Sequence, residues 1–283
     1  MANILKGKVV ADNIKQNIIK DVSGLKNSGI EPTLAILRVG KNPDDIAYEK
    51  SILKNCEKVG IKGIVYEESE SITTEGLLHS LNKLNEDESI HGILVFRPLP
   101  KQIDEKLISS SINPKKDIDC MHPLNLEKIF EGNMNGFAPC TPKAAMKILD
   151  YYNIPLEGAN VAVINRSMVV GKPLAMMLLG KNSTVIICHS RTKDLKSITK
   201  GADIVVTALG RPNYFNEEYF NDNSTVIDVG ISLNNEGKIC GDVDTLPVSN
   251  VVENITPVPG GVGSVTTSIL LSHVIYACKN LNR

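Results

Sequence analysis

Three stretches of the chain bring together residue types that could do chemistry. YEKSILKNC, Tyr48 to Cys56, offers a phenol and two amines, Lys50 and Lys54, the material of a general acid or base. VAVINRSMVVGKPLAMMLLG, Val161 to Gly180, reads as strand, short loop and helix, the geometry in which main-chain N–H groups at a helix start receive phosphate. ITPVPGGVGSVT, Ile255 to Thr266, places Gly260, Gly261 and Gly263 close together, so that main chain can approach a flat ring with no side chain in the way.

The phosphate loop departs from G-x-G-x-x-G. Asn165, Ser167 and Gly171 stand where glycines would be expected, so the loop alone is also compatible with an ordinary βα turn. The next strand ends CHSRT, with Ser190 and Arg191 and none of the acid that would hold a ribose 2′-hydroxyl. A hydroxyl and a guanidinium suit a 2′-phosphate, and Arg166 can add a second charge-assisted contact. The pattern favours NADP over NAD, against the alternative that both arginines are solvated loop charges. No metal site is indicated: the six cysteines form no C-x-x-C pair, and His122 and His189 lack partners at ligand spacing, which leaves both as structural residues.

Positioning these stretches calls for an alternating fold. β-rich runs at 33–40, 63–69 and 92–99 alternate with amphipathic segments at 43–59 and 73–86, and Ile14, Ile18, Val22 and Leu25 share a helical face ahead of them. Residues 111–140, rich in Pro, Asn and Gly, read as an irregular junction before a helix from 141. A second series of strands follows at 160–165, 183–190, 203–210 and 224–231, and a last helix from 266 is apolar on most faces. The reading is a two-domain α/β protein, with a parallel-sheet catalytic domain over 1–139, a Rossmann-type nucleotide-binding domain over 140–265, and helix 266–283 packed back on the first. At 283 residues, 42% of them hydrophobic, the chain can build two such cores. A net charge of -1 gives no electrostatic case for nucleic acid or an anionic membrane, so the partner is a small molecule. With no long apolar run and no disulfide pattern, the expectation is a soluble, unexported, cytoplasmic protein with reduced thiols.

Taken together, KPLAMMLL after RSMVVG, STVIICHS, VIDVGI, GDVD, CTPK, KDIDCMHP and ITPVPGGVGSVT stand in an order and spacing that resembles the methylenetetrahydrofolate dehydrogenase/cyclohydrolase family, folate-linked enzymes of one-carbon metabolism. The resemblance spans essentially the whole chain. It implies two α/β domains with a cleft between them, and a homodimer joined through the nucleotide domain. It implies NADP on Asn165, Arg166, Ser167, Ser190 and Ile231, and a tetrahydrofolate derivative against Tyr48 to Ile52, Val95, Phe96, Arg97 and Pro259, Gly260, Gly261, Val262 and Gly263. Tyr48 and Asp119 are the implied catalytic residues, Asp119 accepting hydrogen bonds from the pterin ring, with a loop cap as its plainer alternative. Cys140 borders the family's cleft, although packing is the simpler role for a buried thiol.

The family's pattern also says what is missing. Aligned through Cys56, Gly60 and Ile61, its functional lysine falls on Ile52, and in VFRPLP, Phe96 replaces the supporting glutamine of VQLPLP while Arg97 takes an apolar place. At about 100° per residue, position 52 shares the face of Tyr48, whereas Lys54 lies about 120° away and Lys50 nearly opposite. Oxidising the methylene bridge expels a hydride and leaves an amidinium cation, with no proton to remove. Hydrolysing that cation needs an activated water and a proton shuttle, worth about 10²- to 10⁴-fold from a placed acid or base. The expectation is an NADP-dependent dehydrogenase whose cyclohydrolase activity is lost or weak. Three alternatives stay open: a bifunctional enzyme with Tyr48, a water or a mobile lysine as base; a silent folate- and nucleotide-binding protein, encouraged by Ser264 in place of the family's proline; and a Rossmann dehydrogenase for another substrate.

Overall fold

Several helices begin where a short polar side chain can take up the free N–H groups of the first turn. In the computed structural model, which describes residues 1–133, 136–234 and 236–282, Asn42 accepts from Asp44 N, Thr73 from Gly76 N, and Asp104 from Lys106 N and Leu107 N. In chain order the elements are β1 (Asn3–Ile4), α1 (Gly7–Asn27), β2 (Thr33–Val39), α2 (Pro43–Val59), β3 (Lys62–Glu68), α3 (Thr74–Glu86), β4 (Gly92–Val95), α4 (Glu105–Ser111), α5 (Pro123–Phe130) and α6 (Cys140–Tyr151). They continue with β5 (Asn160–Ile164), α7 (Gly171–Leu179), β6 (Thr184–Cys188), α8 (Leu195–Lys200), β7 (Ile204–Thr207), β8 (Thr225–Asp228), β9 (Ser232–Leu233), β10 (Ile239–Cys240), α9 (Thr245–Val248), β11 (Asn254–Ile255) and α10 (Val262–Leu281).

The chain divides into two compact units, Asn13–Ala138 with Thr267–Arg283, and Met1–Asp12 with Pro139–Thr266. In the first, β2 lies between β3 and β4 in a parallel sheet and is buried along most of its length. Ala35 and Leu37 of β2 share a core with Leu77, Leu81 and Leu84 of α3 and with Ile93 and Val95 of β4. Within this unit His273 Nδ1, on α10, lies 2.7 Å from Ile118 O.

In the second unit, β1, β11, β8, β7, β5 and β6 form one parallel sheet in that order. The chain winds outward from β5 to β6 and then crosses back to β7, so the direction of winding reverses between β5 and β7. Such a switch point opens a crevice at the carboxyl edge of the strands, the place where doubly wound sheets hold ligands.

Four expectations from sequence need correction. Residues 1–12 belong with the six-stranded unit, because Asn3 and Ile4 pair in parallel with Asn254 and Ile255; two residues carry too little periodicity to be read as a strand. The strand expected over 92–99 ends at Val95, ahead of Pro98, which has no N–H to give a ladder. The expected irregular stretch contains α5, with Pro123 at its first position and the His122 side chain accepting from Leu124 N; Met134 and Asn135 of that stretch lie outside the described residues. The last helix starts at Val262 rather than 266, and its expected end, Arg283, is also outside them.

Candidate active site

In the three-stranded unit the expected folate residues gather around α2 and the carboxyl ends of β2 and β4. Tyr48 is 43% exposed, while Ile52, one turn further along α2, is fully buried. Lys50 and Lys54 are both exposed, as their angles on the helix require. Phe96, 7% exposed, stacks on Tyr48 with ring centroids 5.6 Å apart and 30° between planes. Such a pair is worth about 0.5–1.5 kcal/mol beyond the area it buries. The two positions expected to depart from the family's pattern therefore hold a packed aliphatic chain and a ring stacked on the face of the phenol.

Arg97 Nη2 lies 3.4 Å from Asp119 Oδ2, and Nη1 3.9 Å from Glu105 Oε1 at the start of α4. These groups are part-exposed, so the pairs add under about 1 kcal/mol; their consequence is orientation of the Asp119 carboxylate. The loop that carries Asp119 is built by its neighbours. Buried Asp117 accepts from Met121 N at 2.8 Å, His122 N at 2.9 Å and Asn125 Nδ2 at 2.8 Å. Burial pushes its carboxyl above the ordinary range, against those donors. Lys116 Nζ donates to the carbonyls of Leu84, Asn85 and Asp87 at the end of α3, where a cation suits the free carbonyls and the dipole. Of KDID, then, Lys116 and Asp117 shape the loop, and Asp119 is the half-buried carboxylate.

The expected cofactor residues lie along the carboxyl edge of the six-stranded sheet. Asn165 closes the loop after β5: its Oδ1 accepts from Ser167 N at 2.7 Å and Gly171 N at 3.1 Å, and its Nδ2 donates to Ala208 O at 2.6 Å, past the end of β7. Ser167 Oγ accepts from Val170 N. A side chain at Gly171 would put its Cβ 2.0 Å from Asn165 O, so this loop turns only with glycine there. Arg166, Ser190 and Arg191 are exposed, on loops made neighbours by the pairing of Ile164 with Cys188. His189 Nδ1 accepts from Arg191 N, a turn-closing role, as His122 has a capping one.

Ile231, 61% exposed, and the segment Pro259–Gly263 line one cavity of about 210 Å³ together with Gly230 and Ile239. An expected cofactor residue and expected folate residues thus share a wall. The glycines there also meet main-chain demands of their own: Gly7 N donates to Gly260 O at 2.8 Å, and a Cβ on Gly261 would come within 2.4 Å of Pro257 O. Cys140 is buried at the start of α6, a packing position.

Beneath this cavity two buried carboxylates organise the loops. Asp228 accepts from Thr207 Oγ1, Gly230 N, Asp242 N and Val243 N at 2.9–3.2 Å, and Asp242 accepts from Leu209 N and Arg211 N. A Cβ on Gly230 would strike the Asp242 carboxylate, and one on Gly241 the Asp228 carboxylate. VIDVG and GDVD are therefore two halves of one junction. Burial foremost, with the charge of Asp242 added, pushes the Asp228 carboxyl up to about 6 against its N–H donors. Folding favours its protonated form, so this group's contribution to stability is full below the ordinary value of 3.8 and is lost as pH rises to about 6. A ¹³C carboxyl titration is expected to show an Asp228 midpoint near 6; a midpoint in the ordinary aspartate range would contradict this.

Sequence reading missed Arg38. It is 3% exposed at the end of β2, with Nε 2.7 Å from Glu49 Oε2 and Nη2 2.8 Å from Glu67 Oε2, and Nη1 donates to Gly40 O. The signal was one arginine inside the apolar run TLAILRVG, since a buried charge requires partners.

Among the described residues, no group of three or more His, Cys, Asp or Glu could hold a metal ion, and no helix is long and apolar enough to cross a membrane. Residues 5–119 match the family model for the catalytic domain of tetrahydrofolate dehydrogenase/cyclohydrolase, and residues 139–282 match that for its NAD(P)-binding domain. Bifunctional protein FolD of Clostridium botulinum (strain Hall) is 57% identical over 279 residues, covering 99% of each chain. The structure of the bifunctional enzyme FolD from Campylobacter jejuni matches with a TM-score of 0.97 at 44% identity, over 99% of each chain. That of Trypanosoma brucei FolD, complexed with NADP cofactor and inhibitor, matches with a TM-score of 0.94 at 33% identity, over 100% of this chain and 99% of that one. By these matches along its full length, the chain belongs to the tetrahydrofolate dehydrogenase/cyclohydrolase family.

Proposed function

We propose that this chain is an NADP-dependent methylenetetrahydrofolate dehydrogenase that also hydrolyses its methenyl product, with hydrolysis as the slow half. Relatives named bifunctional at 57% and 44% identity favour the bifunctional alternative over the expectation that hydrolysis is lost or weak, and of that expectation only a weak activity is kept here. The observation that carries the slow hydrolysis is Ile52, fully buried at the position matching the family's lysine.

Arg166, Ser190 and Arg191, exposed on adjacent loops, suit a 2′-phosphate, and Asn165 fixes the loop that carries Arg166. When bound, NADP supplies the hydride acceptor. The chain's part in that half is orientation: Asp119 receives the pterin's N–H donors, and the Tyr48 ring, backed by Phe96, holds the folate in register. The hydride departs with its electron pair from the methylene carbon, and the resulting cation needs no base. Hydrolysis adds water to that carbon and breaks one of its two C–N bonds: one proton of the water passes to the nitrogen that leaves, the other is released to solvent, and the formyl group stays on the second nitrogen. Ile52 and Phe96 exchange no protons, which leaves the Tyr48 hydroxyl as the titratable group among the residues matched to the folate side of α2.

The test is the initial rate of methenyl formation with each nicotinamide cofactor. A higher kcat/KM with NADP than with NAD supports the cofactor assignment, and equal values overturn it. Saturable binding of both ligands without reduction of NADP would favour a silent binding protein instead. The same preparation is expected to run in light scattering as a particle of twice the 30.8 kDa chain mass; a monomer would remove the homodimer from this reading.

A further inference from the structure

A buried arginine is costly unless fully paired, and replacing a buried ion pair with apolar groups of similar volume is often neutral or stabilising. The Arg38 cluster therefore has little to recommend it as a stability device. Its location is more informative. Arg38 and Glu67 are register partners on β2 and β3, and Glu49 is the residue after Tyr48 on α2, itself only 8% exposed. The preceding residue of β2, Leu37, accepts from Phe96 N at 3.0 Å. Two consecutive residues of one strand thus hold the two sides of the Tyr48–Phe96 stack, Leu37 through the main chain of Phe96 and Arg38 through the carboxylate beside Tyr48.

We infer that Arg38 is a positioning residue for the folate site: through its forked hydrogen bonds to Glu49, Glu67 and Gly40 O it locks the rotation of α2, and so sets where the Tyr48 ring stands against the substrate. The inference rests on the dehydrogenase reading above. The planar guanidinium suits this role, because three donors in fixed directions define an orientation that a point charge does not. A misplacement on the order of 1 Å at such a platform costs up to about 100-fold in rate. Glu67, with its side chain 43% exposed, can return to water if the arginine is removed, whereas Glu49 cannot.

The experiment replaces the pair together, Arg38→Met with Glu49→Leu, so that no buried charge is left alone. Thermal midpoint and NADP affinity are expected to stay at the parent values, while kcat/KM for methylenetetrahydrofolate falls about 10- to 100-fold. Removing the ring, Tyr48→Ala, is expected to cost less in this background than in the parent, since coupled residues are non-additive. A double variant with parental kcat/KM and an undiminished Tyr48→Ala effect overturns the inference. Should the double variant fail to fold, Arg38→Lys keeps the charge while losing the fork; a raised KM supports the inference and a parental KM overturns it. Tetrahydrofolate affinity by calorimetry reads the same geometry without turnover, so a parent that binds but does not react fails the functional reading alone. In that case, weaker binding by the paired variant supports Arg38 as positioning residue, and unchanged binding refutes it.

Discussion

Introducing Ile52→Lys together with Phe96→Gln is expected to raise the rate of methenyl hydrolysis by about 10²- to 10⁴-fold, the span a positioned acid or base contributes, and to give hydride transfer no gain, since it loses the ring that backs Tyr48. The asymmetry follows from the two chemistries. Oxidation needs orientation and moves no proton, so restoring a base should not help it; on the function proposed above, hydrolysis is the half that lacks one. Both changes are required. Ile52 is fully buried, and a lone amine there would be driven to its neutral form by desolvation. The amide at 96 would give it a partner, at the loss of the ring now stacked on Tyr48. The measurement is the decay of supplied methenyltetrahydrofolate over the buffer rate. An unchanged decay in a folded double variant would show that the lysine position is not what limits this chain.

The largest loss of stability is expected from Asp117→Ala, on the order of 3 kcal/mol, read as a shift of the urea midpoint. Three donors, Met121 N, His122 N and Asn125 Nδ2, would be stranded around a carboxylate site that is 1% exposed. Each buried donor without a partner costs about 1–3 kcal/mol; partial relaxation toward solvent keeps the sum below the simple total. Because Asp119 rides on the same loop, KM for the folate should rise as well. A variant with parental stability would mean that this loop is held by its packing, with Asp117 as a passenger.

What could be read in the sequence divides along physical lines. Continuous apolar runs, such as those that became β2 and β5, follow from burial on both faces, and the amphipathic α3 from burial on one; all were legible. The exposure of Lys50 and Lys54, away from buried Ile52, agrees with their helical angles; that position 52 matches the family's lysine came from the resemblance, not from geometry. Non-local pairing was not legible: nothing in Asn3 and Ile4 announces β11 as their partner, some 250 residues on. Nor did the motifs separate ligand contacts from scaffolding. Asn165, Asp117, Asp228 and the glycines of PGGVG each satisfy main-chain groups within their own unit, and a sequence cannot distinguish an acceptor for its own loop from one aimed at a ligand. Arg38 was visible only as an anomaly in an apolar strand, whose meaning required Glu49 and Glu67 in place.

One progress curve tests the central claim most directly: methylenetetrahydrofolate and NADP are mixed with the unaltered protein, and the methenyl absorbance is followed from first turnover to exhaustion of substrate. The account requires a rise to a transient maximum, then a decline that is faster than in buffer yet well slower than the rise. A curve on which the methenyl species never accumulates, because it is removed as fast as it forms, would contradict it.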